Sequence, residues 1–493
     1  MAAALRPATL LAAGALLFVV AFQLWVSPTN PPGFHHDEAA FALNAYTLGH
    51  SLRDQTGGLL PIAFPSYGNY PSAFFSYVLA IPELVLGPKN EVVRGTAAAF
   101  GVGALLLLGI LAYRRAGAWI AVAAVTAAGL EPWLFQVGRV AYDTSMFPFF
   151  VLLVLLAVDG WTRSDRPLPW RAAGVAVALA LMTYGYPAGR LLGPLFAAAL
   201  AVFLRRPARR AVIGVWIGYA ACLIPLGLYR LRHPNGLTAR YHDTTFLTPG
   251  MSVWTIVHRA AWNYLRDMSP LHWVTAGDPK PYLDVSNAAE LLWAFLFLVA
   301  LGVYEILRNR RGDRFWIYVL AAYLLSGLPA ALTVDRHDTT RLSAMPACMA
   351  VLAIPGLQLI WRSRSAVRAG ALAALGILLV VQWGLFVHDY TTNGPNRVDA
   401  FDAGVGALVA RGLAGGRTIY VDHDDPYALT YGQWYAVSHG LPRSRVVRLP
   451  DGGIPPTGSM VLGRTQSCDY VCPQLAAADS FWLARAAGPK PAG

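Results

Sequence analysis

Two adjacent carboxylates, Asp37 and Glu38, follow a pair of histidines in the run Gly33-Phe34-His35-His36-Asp37-Glu38-Ala39, just after the first apolar stretch of the chain. An acid in a partly dry site can take a proton from a hydroxyl, and with a neighbour it can hold a divalent cation. Ionisable groups at the mouth of an apolar bundle are costly unless they are paired or used. The structural alternative is that Asp37 caps a helix starting at Glu38; a capping Asp can still turn one oxygen into a cavity. A second acidic cluster is Gly138-Arg139-Val140-Ala141-Tyr142-Asp143. Here Arg139 and Asp143, four apart, either pair with each other or serve together, Asp143 joining Asp37 across a cavity while Arg139 orients one of them.

Two further clusters suit a phosphate. Asp335-Arg336-His337-Asp338-Thr339-Thr340-Arg341 precedes an apolar run, and an arginine fork matches phosphate geometry. Headgroup snorkelling explains an arginine there but not the surrounding His337 and aspartates. In Tyr184-Gly185-Tyr186-Pro187-Ala188-Gly189-Arg190 the tyrosines fit an aromatic belt, whereas Arg190 stands against the charge bias described below and is a candidate for phosphate or donor sugar, with Tyr186 beside it. The candidate catalytic residues are therefore Asp37, Glu38 and Asp143, and the candidate binding residues Arg139, Tyr186, Arg190, His337 and Arg341. The stretch 230–288 adds Trp254, His258, Arg259, Trp262, Tyr264, Arg266, His272 and Trp273, suited to a sugar or to a lipid interface. His258 or His272 alone gives little reason for a metal, and the metal question stays open.

What positions these residues is a membrane bundle. The chain is 56% hydrophobic and 13% charged, against about 25% charged in soluble domains. Apolar runs fall near 8–27, 92–113, 116–135, 144–162, 172–186, 188–204, 211–229, 289–307, 315–333, 342–360 and 369–388, predicting about eleven transmembrane helices. The first is long enough to span and lacks a clear cleavage site, so it reads as an uncleaved span. Arginines cluster at every second junction: Arg6, Arg114/Arg115, Arg163/Arg166/Arg171, Arg205/Arg206/Arg209/Arg210, Arg308/Arg310/Arg311/Arg314 and Arg362/Arg364/Arg368. The positive-inside rule makes these junctions cytoplasmic, with the N-terminus inside, the C-terminus outside, and every polar cluster above on the outer face. Residues 37–50, 71–87 and 251–266 read as helices lying in the outer interface.

The tail from about 390 differs in kind. Short strands are expected at Thr418–Val421, Val446–Leu449 and Met460–Leu462, and helices at 399–412 and 426–438, giving a small extracytoplasmic α/β domain over 390–493 after a transmembrane module over 1–389. Cys468 and Cys472 suit a disulfide there; Cys222 and Cys348 sit in apolar runs. The net charge of +12 is spread over loop ends and does not read as nucleic-acid binding. Walker, Rossmann, zincin and nucleophile-elbow motifs are lacking, and the span middles hold almost no charge, which argues against a proton-coupled transporter.

The run His36-Asp37-Glu38-Ala39, then Asn44-Ala45-Tyr46, Arg53-Asp54 and Leu60-Pro61, resembles the first outer loop of bacterial glycosyltransferases of the GT-C superfamily, more narrowly family 39, the protein O-mannosyltransferase and aminoarabinose-transferase-like group. Phe64-Pro65-Ser66-Tyr67-Gly68-Asn69-Tyr70-Pro71 and Val93-Arg94 continue the resemblance, as do Gly138-Arg139 to Asp143, Tyr186 to Arg190 and His337 to Pro346. It implies a polyprenyl-phosphate-sugar donor, a glycan, lipid or protein acceptor, Asp37 as the catalytic acidic residue that deprotonates or orients the acceptor hydroxyl, inversion at the anomeric carbon and a leaving phosphate held by arginines such as Arg341. Where related loops often carry a Lys, this chain has Asn69-Tyr70-Pro71-Ser72. The expected function is sugar transfer on the outer face of the plasma membrane, in contact with membrane lipids. A transporter or flippase of a lipid-linked glycan, and a non-catalytic assembly factor, are the alternatives.

Overall fold

The computed structural model describes residues 7–163, 168–204, 208–285, 289–421, 425–450, 453–464 and 472–487. Every one of the eleven apolar runs coincides with a helix, from Pro7–Gln23 and Asn90–Ala116 through to Ala344–Arg362 and Ser365–Asn393. In hydrocarbon the backbone has no water to bond to, and a helix satisfies it internally. Six helices among the described residues are long and apolar enough to cross a membrane: Asn90–Ala116, Asp143–Thr162, Arg209–Arg232, Arg314–Ala331, Ala344–Arg362 and Ser365–Asn396. That is fewer than the eleven spans expected. Ala118–Gly129 has 12 residues, too few at 1.5 Å rise each to cross a core of ~30 Å.

The centre of the bundle is Ala344–Arg362, buried along nearly its whole length. It crosses Trp293–Asn309 very closely: a Cβ on Gly302 would meet Leu352 O at 1.7 Å, and one on Gly356 would meet Leu298 O at 2.2 Å. Small residues permit this approach. The arginine-bearing junctions gather at one end of the bundle. Arg115 pairs with Asp159 and with Asp313 (2.8 Å), Arg163 donates to Arg114 O, Gln358 donates to Arg115 O at 3.1 Å, and Arg310 and Arg362 both approach Glu305. Arg6, Arg166, Arg205 and Arg206 lie outside the described residues.

His36–Ser51 is buried on most faces. It is packed between helix Phe74–Leu86 and the C-terminal helix Pro426–Ser438, so it does not lie open in the interface as expected. The end of Phe74–Leu86 is different: Ile81, Leu84, Val85 and Leu86 are all exposed apolar side chains, as an interfacial helix requires. Val253–Asp267 likewise exposes Val253, Trp254, Val257, Trp262 and Leu265.

The tail forms a five-stranded sheet of β1 (Ile419–Val421), β2 (Val446–Arg448), β3 (Met460–Gly463), β4 (Gln474–Ala478) and β5 (Phe481–Arg485), in the order β2-β1-β3-β5-β4. β1 runs parallel to β2 and β3, with Ile419 opposite both Val446 and Met460; β5 is antiparallel to β3 and β4. Helices Val405–Leu413 and Pro426–Ser438 cover it. The three expected strands are present, and β4 and β5 were not expected. Cys472 is disulfide-bonded; Cys468 lies outside the described residues, and Cys222 and Cys348 are free thiols.

Candidate active site

Local sequence aims Asp37. The helix His36–Ser51 is capped by His35, whose Nδ1 accepts the Asp37 N–H at 3.2 Å, while Glu38 accepts the His35 N–H at 2.9 Å. This is a capping box set two residues earlier than a cap at Asp37 would be. It leaves the Asp37 side chain in the first helical turn, free of capping and 41% exposed, on the wall of a cavity of about 590 Å³.

That cavity collects segments distant in sequence. Asp37, His35 and His36 come from the first loop, with Ser66, Tyr67, Asn69, Tyr70 and Pro71 behind them. Tyr142, Asp143 and Thr144 come from the second acidic loop, Tyr186 and Arg190 from the next junction, and Arg240 and Tyr241 from helix Ala239–Thr244. Lys280, Tyr282, Asp338, Thr340 and Arg341 close one side, and Tyr427 of the C-terminal domain another. Asp143 interacts electrostatically with Asp37 on one side and Arg190 on the other. Tyr186 interacts electrostatically with Asp338 and Asp143.

Of the candidates read from the sequence, Asp37, Asp143, Tyr186, Arg190 and Arg341 line this one cavity; Glu38, Arg139 and His337 do not. Glu38 turns away into a buried ion pair: Arg94 Nε and NH2 donate to its two oxygens at 2.9 and 2.8 Å, and the Ala141 N–H donates at 3.0 Å. Arg139 neither pairs with Asp143 nor reaches the cavity. It donates to Trp25 O at 2.8 Å and to Gln23 O, with its guanidinium 4.1 Å over the Phe135 ring, and so fastens the end of the first helix. His337 stacks on His272 with ring centroids 3.3 Å apart, and burial together with His272 holds its imidazole down to about 4.

The cations on the wall are not equivalent. Arg341 donates to Asp335 at 2.6 Å and to Thr333 at 3.0 Å, and lies 3.3 Å from Asp338; Lys280 donates to Asp338 at 2.7 Å and Asp335 at 3.3 Å. Burial works against the Asp338 charge, but Arg341 and Lys280 outweigh it and hold its carboxyl below the usual range. Arg190 donates to Leu237 O at 2.9 Å. Among the described residues, Arg190 and Arg240 are the lining cations with no carboxylate within ion-pair distance. Sequence reasoning passed over Arg240, Tyr282, Tyr427 and Lys280, although Lys280 is one of three lysines in the chain.

His35, His36 and Asp37 bring a ligand atom each within 4.8 Å of one another. His35 spends Nδ1 on the helix cap, and burial with the neighbouring His35 holds His36 down to about 4, so its ring is neutral near pH 7. The three are chemically able to hold a cation; neither His258 nor His272 lies on the cavity wall.

No family model and no curated protein matches the sequence. Solved structures do resemble it. ArnT from Cupriavidus metallidurans bound to undecaprenyl phosphate aligns at TM-score 0.61 and 12% identity over 98% of this chain and 99% of that one, and its apo form at 0.62 with the same identity and coverage. The archaeal oligosaccharyltransferase AglB from Archaeoglobus fulgidus, in complex with an inhibitory peptide and a dolichol-phosphate, aligns at 0.53 and 13% identity over 93% of this chain and 70% of that one. At such identities the likeness speaks to the fold, and along almost its entire length the chain has the GT-C fold.

Proposed function

We propose that the protein is a glycosyltransferase that moves a sugar from a polyprenyl-phosphate donor to an acceptor hydroxyl on the extracytoplasmic face of the plasma membrane. The observation that carries this reading is the set of charges on the wall of one cavity: a carboxylate, Asp37, and two arginines, Arg190 and Arg240, none in an ion pair between arginine or lysine and a carboxylate among the described residues, with Asp143 interacting electrostatically with both Asp37 and Arg190. A base for the nucleophile and cations for the leaving phosphate, on the wall of one cavity, suit a displacement at the reacting carbon.

In the proposed step the acceptor oxygen bonds to the anomeric carbon as its proton passes to an Asp37 oxygen. The bond from that carbon to the phosphate oxygen breaks, and its electron pair leaves with polyprenyl phosphate, whose charge Arg190 and Arg240 take up. Attack opposite the leaving group inverts the carbon. Arg341, already compensated by Asp335 and Asp338, orders the wall. The two neighbours described with undecaprenyl phosphate and dolichol-phosphate support a lipid-phosphate carrier. The gathering of arginines at one end of the bundle supports the orientation. The first-loop residues are what favour family 39 within the superfamily.

The test is release of polyprenyl phosphate from a panel of polyprenyl-phosphate sugars by the lipid-reconstituted protein and by Asp37→Asn. Release by the parent alone supports the reading. Movement of the intact donor across the bilayer without cleavage would replace it with a flippase.

A further inference from the structure

Tyr427, the second residue of helix Pro426–Ser438, carries the C-terminal domain into the cavity wall. Its ring lies flat on Tyr67 of the first loop, centroids 4.2 Å apart and planes 2° from parallel. Both rings meet His36 edge-on, at 5.1 and 5.4 Å. His36 Nε2 is 3.9 Å from Asp37 Oδ1, so the stacked pair stands beside the carboxylate assigned as base. The arrangement is fastened: the Tyr67 hydroxyl donates to His36 O at 3.1 Å, and the Arg464 guanidinium lies 4.5 Å over the Tyr427 ring. Both tyrosines stay half-buried on the wall.

The cavity wall is not chemically uniform. Beside Arg190 it includes Leu191 and Leu237, whose carbonyl Arg190 bonds, apolar surface suited to an isoprenoid chain. Beside Asp37 it includes His36, Tyr67 and Tyr427. The polar edges of this aromatic cluster match a carbohydrate, whose hydroxyls hydrogen-bond the rim while its apolar C–H groups lie against the ring edges.

We infer that Tyr67 and Tyr427 form an acceptor subsite for a carbohydrate ring, so that the acceptor is a glycan presented with one hydroxyl at Asp37. This rests on the transferase reading above and assigns the C-terminal domain a part in choosing the acceptor.

The test uses the full-length protein in lipid nanodiscs, a panel of methyl glycosides and linear trisaccharides, and serine- and threonine-containing peptides as controls, with binding read by saturation-transfer NMR. The parent is expected to bind at least one saccharide, Tyr427→Phe to keep it, and Tyr427→Ala and Tyr67→Ala each to weaken it about tenfold. Tyr67→Ala supplies the same comparison if Tyr427→Ala does not fold. No saccharide binding by the parent, binding unchanged in both alanine variants, or binding of peptides alone overturns the subsite. Tyr427-dependent saccharide binding without polyprenyl phosphate release from any donor upholds the subsite and sinks the transferase reading; release with the sugar delivered to a peptide does the reverse.

Discussion

Arg94 grips both oxygens of Glu38, at 2.9 and 2.8 Å, while Asp37, one residue away, faces the cavity. The helix beginning at His36 turns by about 100° per residue, so two adjacent carboxylates have opposite environments. Glu38 ties together the first loop, helix Asn90–Ala116 and the second acidic loop through Ala141; Asp37 is left for chemistry.

Glu38→Ala therefore leaves a buried arginine uncompensated, which costs about 3–5 kcal/mol. Its thermal unfolding, followed by tryptophan fluorescence in detergent, is expected well below that of the parent. Asp37→Asn is expected to unfold with the parent and to release no polyprenyl phosphate. An equal loss of stability in both variants would mean that the two carboxylates share a structural role.

Arg190 and Arg341 both line the cavity, but only Arg341 is held by carboxylates. Arg190→Gln is expected to raise the donor KM about tenfold, the size of one lost hydrogen bond to a charged group, and to leave the unfolding temperature unchanged. Arg341→Gln strands Asp335 and Asp338 with Lys280 alone and is expected to lower it. Unfolding curves and donor titrations read both; a donor KM unmoved by Arg190→Gln would remove that residue from the phosphate site.

Acid should destabilise the protein through His36. Burial and His35 hold its imidazole down to about 4, against 6.5 ordinarily. Between those values the unfolded chain binds more protons than the folded one, so stability is full above about pH 6.5 and falls as the pH drops toward 4. His36→Asn is expected to show a shallower decline of unfolding temperature over that window. His337, also held to about 4, keeps part of the slope. Identical slopes in parent and variant would mean that His36 contributes nothing.

The bundle was legible because apolar runs and arginine spacing report directly on the lipid environment, and the cavity residues Asp37, Asp143, Tyr186 and Arg190 stood out as polar groups at its edge. Glu38 and Arg139 were harder. Each sits one turn or less from a cavity residue, and which way it points depends on partners far along the chain, Arg94 for one and the carbonyls of Gln23 and Trp25 for the other. Tyr427 carried no signal, because its place on the wall comes from docking a domain nearly 400 residues downstream of the first loop. β4, with its run Ala476-Ala477-Ala478, lacks the β-branched and aromatic residues that mark strands.

That docking can be tested at one glycine. Gly33 has φ +63°, and a Cβ there would meet Ala403 Cα at 2.3 Å and Phe401 O at 2.5 Å. The next residue is clamped to the tail on three sides: the Phe34 N–H donates to Phe401 O at 2.8 Å, Phe34 O accepts from the Tyr431 hydroxyl at 2.8 Å, and its ring stacks on Trp434 at 5.6 Å. Gly33→Ala must strain a left-handed backbone at about 1–2 kcal/mol and push the tail off the loop that holds Asp37. The membrane helices do not depend on this contact, so the variant is expected to insert and purify, with transfer lost and the C-terminal domain cut faster by added protease. Parent-like activity in Gly33→Ala would mean that the Asp37 loop holds its geometry without the tail.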